Sequence, residues 1–149
     1  MIRLLHFGFR IYLFIFRPVS IGIRVMMIQN SKVLLVRQTY MPGWFLPGGG
    51  VKRGETLEQA ARREAKEETG AELEELQLMG AYTNLKEMKT DHNVVFICTD
   101  FTYSGKHDNE IAEIRFFGLD ELPEGLWPGH RQRLEEYLTG NKNPKYGEW

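Results

Sequence analysis

The chain has one cysteine, almost no net charge and no long uninterrupted apolar run, and each shortage removes a class of explanation. Cys98, the single cysteine among 149 residues, cannot close an internal disulfide; nothing requires an oxidising compartment, and a small core residue is its expected role. Lys+Arg at 19 against Asp+Glu at 20 leave a formal net charge of −1, too little for a broad nucleic-acid footprint. The apolar stretches between Arg3, Arg10 and Arg17 fall far below the ~20 residues a bilayer-spanning helix needs. No internal repeat or low-complexity segment occurs. The length suits one domain with its own core.

What the chain does have is a concentrated stretch from Gly49 to Ala71, GGVKRGETLEQAARREAKEETGA. Thr56 with Gln59 three residues on marks a helix start, and Gly70 marks its end. At about 100° per residue, Glu64 and Glu68 fall within about 20° of Leu57, with Ala60 and Ala61 flanking them. Glu67 lies near 80°, at the edge of that stripe. Glu58, Gln59, Arg62 and Lys66 cover the opposite face. The helix therefore turns carboxylates, not only apolar groups, toward the body of the domain. Carboxylates in that position need a proton, a partner cation or a metal, and an oxygen-only set suits Mg²⁺ or Mn²⁺. Leu46-Pro47-Gly48-Gly49-Gly50 just ahead is a turn whose backbone can approach a ligand, and amides near a helix start favour phosphate oxygens. The pairing points to metal-assisted attack on a phosphoryl group.

The remaining pattern is α+β. Ile21–Ile28 and Lys32–Arg37 read as strands joined by Gln29-Asn30-Ser31. Leu76–Tyr82, Asn93–Tyr103 and Ile111–Phe117 read as three more, the middle one carrying the continuous apolar run Val94-Val95-Phe96-Ile97. His130–Leu138 reads as a closing helix. The expected organisation is an amphipathic N-terminal segment over residues 1–17, a catalytic domain over 18–140 and a polar tail over 141–149. In the first segment Arg3, Arg10 and Arg17 recur every seven residues, with His6 close to the same face of a helix. Packing onto the domain or onto a second subunit of a homodimer is the expected role. A weak contact with a membrane surface and an N-terminal anchor are the alternatives. A cleaved signal peptide is not expected, because Arg10 interrupts the apolar core and no small-residue cleavage site follows.

Gly49, Glu55, Arg63, Glu64, Glu67, Glu68 and Gly70 match, at the right spacings, the signature of the Nudix hydrolases, which this chain resembles from about Ile21 to Leu138. Trp44-Phe45-Leu46-Pro47-Gly48-Gly49 and Phe116-Phe117-Gly118-Leu119-Asp120-Glu121-Leu122-Pro123 are similar to the family as well. Ala65 and Ala71 depart from it, being smaller than the usual bulky aliphatics. The resemblance implies an α/β/α sandwich with a mixed sheet. It implies a divalent cation, Mg²⁺ or Mn²⁺, held by Glu64, Glu67, Glu68 and the Gly48 carbonyl, with Arg63 orienting the glutamates. The implied reaction cuts a diphosphate linkage in a nucleoside diphosphate joined to another moiety.

Gly49, Gly50 and Arg37 are candidate substrate contacts, and Glu113, ahead of Glu110, is the candidate further carboxylate. His92, Tyr40, Trp44, Arg53, Lys86 and Lys89 are weaker candidates, better explained by structural or solvated roles. The downstream proline that suggests ADP-ribose in the family is missing, since none lies between Gly70 and Pro123. Tyr82 comes too early to suggest dinucleoside polyphosphates, and the NADH pyrophosphatase and coenzyme A motifs are absent. A soluble cytoplasmic hydrolase is the expectation; a nucleotide-sensing module and a peripheral hydrolase of a diphosphate lipid are the alternatives.

Overall fold

A computed structural model describes residues 19–85, 90–140 and 143–149. The amphipathic segment 1–17 and the lysines Lys86 and Lys89 lie outside the described residues. The strands are β1 (Val19–Gln29), β2 (Lys32–Gln38), β3 (Ala71–Leu73), β4 (Gln77–Asn84), β5 (Thr90–Cys98), β6 (Phe101–Tyr103), β7 (Ile111–Gly118) and β8 (Lys145–Glu148). The helices are α1 (Leu57–Thr69) and α2 (Pro128–Leu138). Among the described residues six strands form one sheet in the order β7-β2-β1-β5-β4-β8, and β3 pairs with β6. The large sheet is mixed, because β1 runs parallel to β5 and β4 to β8 while the other pairs are antiparallel.

β1 is central because both of its faces are apolar. Ile23, Val25 and Met27 join the core beneath α1, with Leu34, Val36, Ala60, Ala61 and Ala65. Met26 and Ile28 join a second core with Val33, Leu35 and Leu134, beneath α2. Alternating side chains thus feed two cores through one sheet, and the result is the expected α/β/α sandwich. Ala65 and Ala71, small for their positions in the family, are buried in the first core.

Two boundaries differ from the sequence reading. The strand expected over Asn93–Tyr103 divides at Thr99-Asp100, where the Asp100 carbonyl accepts the Glu74 amide at 3.0 Å. That bond redirects the chain, so Phe101–Tyr103 pairs with β3 instead of extending β5. The expected polar tail contains β8, which adds to the sheet edge beside β4. Trp149 fastens it: its amide donates to the Thr83 carbonyl at 3.0 Å, and its ring meets His130 at 5.0 Å.

The turn before α1 is positioned by β1. After the hairpin, β2 pairs with the second half of β1 only, and residues 47–51 run beside the first half. Val25 N–H donates to the Pro47 carbonyl at 2.8 Å, Ile23 N–H to Gly49 at 2.9 Å, and Val51 N–H to Ile21 at 2.9 Å. The glycine turn is therefore held by strand-like hydrogen bonds to the first half of β1, an inner strand of the sheet.

Candidate functional site

The start of α1 is closed by reciprocal bonds. Gln59 N–H donates to Thr56 Oγ1 at 3.1 Å, and Thr56 N–H donates to Gln59 Oε1 at 2.9 Å. Gly70, at φ 67°, ends the helix with its amide directed at the Ala65 and Lys66 carbonyls. Between these caps, Ala60, Ala61 and Ala65 are fully buried and Glu68 is only 5% exposed. The buried face centres on Ala61, Ala65 and Glu68, which turns Leu57, expected at the middle of the stripe, to its exposed edge. The glutamates are consequently graded: Glu68 is buried, the Glu64 side chain is 13% exposed and the Glu67 side chain is 44% exposed.

The Gly48 peptide is gripped from both sides. Its N–H donates to Glu68 Oε2 at 2.8 Å, and its carbonyl accepts from Arg24 Nη1 at 2.5 Å. Gly48 has φ 144°, and a Cβ there would collide with the Ile23 carbonyl oxygen of β1. A Cβ on Gly49 would lie 2.7 Å from Glu64 Oε1. Both glycines thus allow backbone to pass between a strand and two carboxylates.

Arg63 joins the outer carboxylates. Its Nε and Nη2 donate to the two oxygens of Glu55 at 2.5 and 2.9 Å, and Nη1 donates to Glu64 at 2.6 Å and Glu67 at 3.1 Å. Nη2 also reaches the Gly50 carbonyl at 3.1 Å, tying helix to turn. The Glu55 carboxyl is held down to about 2, first by the Arg63 bond and then by the Lys52 amide. Glu68 goes the other way. Burial, reinforced by the charges of Glu64 and Asp108, pushes it up to about 8 despite the Gly48 amide and Arg24.

The other candidates divide between two places. Glu110 lies toward the carboxylates: its carbonyl accepts the Thr39 amide at 2.8 Å, and its charge, like that of Glu68, raises the Tyr40 phenol after desolvation has done so. Asp108 is anchored there as well, its amide donating to the Glu67 carbonyl at 2.9 Å and Oδ1 accepting the Glu110 amide at 3.0 Å. Glu113 is elsewhere. Facing Arg37 across β2 and β7, it pairs with Arg37 at 2.6 Å and with Arg115. Both guanidiniums lie over Trp44, at 5.8 and 5.5 Å. Trp44 in turn packs edge-on against Phe117 on the α2 side. The structure therefore brings Glu110 and Asp108, not Glu113, toward the helix glutamates. Arg37 borders a depression of about 430 Å³ shared with Thr39, Tyr40, Met41 and Pro42. His92 hydrogen-bonds Thr83 at 3.0 Å between β4 and β5, a structural role, and Arg53 is exposed.

Sequence reasoning missed Arg24 and His130. His130 Nδ1 accepts the Leu46 amide at 3.1 Å at the head of the glycine turn. Burial, with Arg24 adding to it, holds its pKa well below the ordinary value, so the ring stays neutral and accepts that bond. The signal for Arg24 was present: it interrupts the apolar strand Ile23-Arg24-Val25. Nothing comparable marks His130.

The donor set fits a hard divalent cation. The Glu64 and Glu68 carboxylates flank the Gly48–Gly49 backbone, every donor is oxygen, and the buried Glu68 carboxyl is under-compensated. Among the described residues no three His, Cys, Asp or Glu side chains already converge at ligand spacing. Arg63 holds Glu64 and Glu67 outward, and the Gly48 amide holds Glu68.

A carboxylate helix is locked to a glycine turn in this site, and comparison with known proteins gives the family. Residues 17–137 match the NUDIX domain. The chain is 35% identical to an ADP-ribose pyrophosphatase of Methanocaldococcus jannaschii over 115 residues, covering 74% of this chain and 68% of that one. It is 29% identical to a putative 8-oxo-dGTP diphosphatase of Bacillus subtilis over 112 residues, covering 75% and 74%. Among solved structures, the MutT protein of Methanosarcina mazei superposes with a TM-score of 0.74 at 25% identity, covering 85% of this chain and 98% of that one. The chain belongs to the NUDIX family and is a Nudix-type pyrophosphohydrolase.

Arg63→Lys should keep the fold and lower kcat by about 10- to 100-fold, because an ammonium cannot hold Glu55, Glu64 and Glu67 together. Steady-state kinetics beside near-UV circular dichroism would check it. Unchanged kcat would remove Arg63 from the site.

Proposed function

We propose that this chain hydrolyses the diphosphate linkage of a nucleoside diphosphate joined to a second moiety, with Mg²⁺ or Mn²⁺ as cofactor. The observation that carries the reading is Glu68, a carboxyl only 5% exposed, bonded to the Gly48 amide and pushed up to about 8. Such a group is poised to gain from a cation. The Gly48 carbonyl and the carboxylates of Glu64, Glu67 and Glu68 would hold it, and when bound it supplies a lowered pKa for water and neutralises charge growing on phosphoryl oxygens. Glu67, the most exposed of the three, takes or orients the proton of the attacking water. Arg63 fixes Glu64 and Glu67 relative to the turn. The Gly49 and Gly50 backbone lies against the phosphates, and the depression beside Tyr40 takes the rest of the substrate. Water adds at one phosphorus, the anhydride bond breaks, and two phosphorylated fragments leave.

The names of the Methanocaldococcus and Bacillus relatives support a nucleotide substrate. The missing downstream proline argues against reading ADP-ribose from the first of them alone. A phosphate-release screen over nucleotides, nucleotide sugars, dinucleotides and diphosphate lipids, run with Mg²⁺, Mn²⁺ and chelator, tests the reading. A metal-dependent hit among the nucleotide conjugates supports it. Nucleotide binding without turnover would instead favour a sensing module, and turnover of diphosphate lipids alone would favour the lipid alternative.

The Glu68 carboxyl also sets a pH dependence. Between its ordinary 4.5 and about 8, the folded protein holds a proton that the unfolded chain has released. Its contribution to stability is therefore complete below 4.5 and lost as pH rises to about 8. Neutral, buried His130 works in the opposite sense below its ordinary 6.5, so in chelator Tm should fall most clearly between 6.5 and about 8. With Mg²⁺ present the fall should shrink, since the cation stabilises the ionised form. Identical profiles in both conditions would contradict the assignment of Glu68 as a ligand.

A further inference from the structure

Arg24 is a cation built into the floor of this site from the sheet side. It stands on β1 between Ile23 and Val25, both fully buried, and is itself half-buried. Its Nη1 donates to the Gly48 carbonyl at 2.5 Å, while its buried Nε has no hydrogen-bond partner among the described residues. A guanidinium whose Nε is buried and unsatisfied is costly unless charge nearby compensates it. That charge comes from Glu64, which lies against Gly49, and from Glu68 whenever its carboxyl is ionised; Glu68 stands across Gly48 from Arg24 and accepts the Gly48 amide at 2.8 Å. Arg63 is a second cation of the site, but it engages Glu55, Glu64 and Glu67 from the outer side and makes no bond to Glu68.

We propose that Arg24 is an internal counter-ion of the metal-free site: its guanidinium sits on the Gly48 carbonyl, offsets the buried helix carboxylates until a divalent cation arrives, and lowers the affinity for that cation. The inference rests on the metal reading given above and adds a residue that sets how tightly the site loads. A fixed positive charge behind a cation site repels the incoming ion, and low dielectric makes that repulsion large. The arrangement keeps the empty site folded and the metal exchangeable.

The test is direct binding of Mn²⁺ alone, without substrate, followed by electron paramagnetic resonance. It compares wild type, Arg24→Gln, Arg24→Lys and Glu67→Gln, with Tm measured in chelator and with Mn²⁺. Arg24→Gln keeps a donor toward Gly48 and removes the charge. It should bind Mn²⁺ about tenfold tighter than wild type, and its Tm should rise more on adding the metal. Arg24→Lys keeps the charge, and its affinity should stay within about twofold of wild type. Equal or weaker binding by Arg24→Gln, or equally tightened binding by Arg24→Lys, overturns the inference. Should Arg24→Gln fold only with Mn²⁺ present, the counter-ion role is supported; failure to fold even with Mn²⁺ overturns it. The metal reading is judged separately, by wild type against Glu67→Gln. Wild-type binding that Glu67→Gln weakens upholds that reading whatever Arg24 does, and no binding by any variant removes both.

Discussion

Glu67→Gln should lower kcat with Mg²⁺ by about 10²- to 10⁴-fold while leaving Tm unchanged or slightly raised. Of the three helix glutamates it is the one free to work. Its side chain is 44% exposed, bonded to Arg63 at 3.1 Å and near Lys52 at 4.0 Å, whereas Glu68 is buried and Glu64 lies against the turn. The lost exposed ion pair is worth about 0–1 kcal/mol, and relief of repulsion from Glu64 and Glu68 offsets it. A large activity loss without a stability loss is the pattern of a group acting on the reaction. Normal Mg²⁺-dependent turnover in this variant would sink the assignment. A matching collapse of Tm would reassign Glu67 to structure.

Gly48→Ala should be the most damaging small substitution in the site. Its φ of 144° belongs to backbone that side chains rarely adopt, and the new Cβ would strike the Ile23 carbonyl oxygen and approach Arg24 Cα at 2.9 Å. These are backbone atoms of the central strand and cannot step aside. We expect a loss of about 4 kcal/mol or more in urea unfolding, with activity gone even where the protein still folds. Gly50→Ala is the control. Nothing lies within 4 Å of a Cβ there, so its stability should change by about 1 kcal/mol or less. If the two variants behaved alike, the close fit of the turn against β1 would be wrong.

The helix was legible because its signals are local. The Thr56–Gln59 cap, the left-handed Gly70 and the inward placement of Glu64 and Glu68 depend on spacing within a few turns. The strand cores were legible for a similar reason, since the apolar run Ile23–Ile28, broken only by Arg24, is visible without knowing the partner strands. What escaped depends on contacts distant in sequence. Arg24 meets Gly48 across 24 positions, and His130 meets Leu46 across 84. Glu113 carried the right chemistry at the right distance from the box, but strand parity turns it toward Arg37, Arg115 and Trp44. β8 was invisible because Lys145-Tyr146-Gly147-Glu148 has no apolar alternation; Tyr146 is 93% exposed, and the strand is held by β4, Arg133 and Trp149 through contacts distant in sequence. Among the described residues no helix is long and apolar enough to cross a membrane.

The proposed reaction is attack of water on phosphorus, dependent on a divalent cation and on Glu67. The most direct measurement is hydrolysis of the best nucleotide conjugate from the screen in heavy-oxygen water, with Mg²⁺ and with chelator, reading the label in the products. One heavy oxygen on a phosphate of one product in Mg²⁺, and no turnover in chelator, is the expected result. Label bonded to carbon, or labelled product forming equally well in chelator, would contradict it.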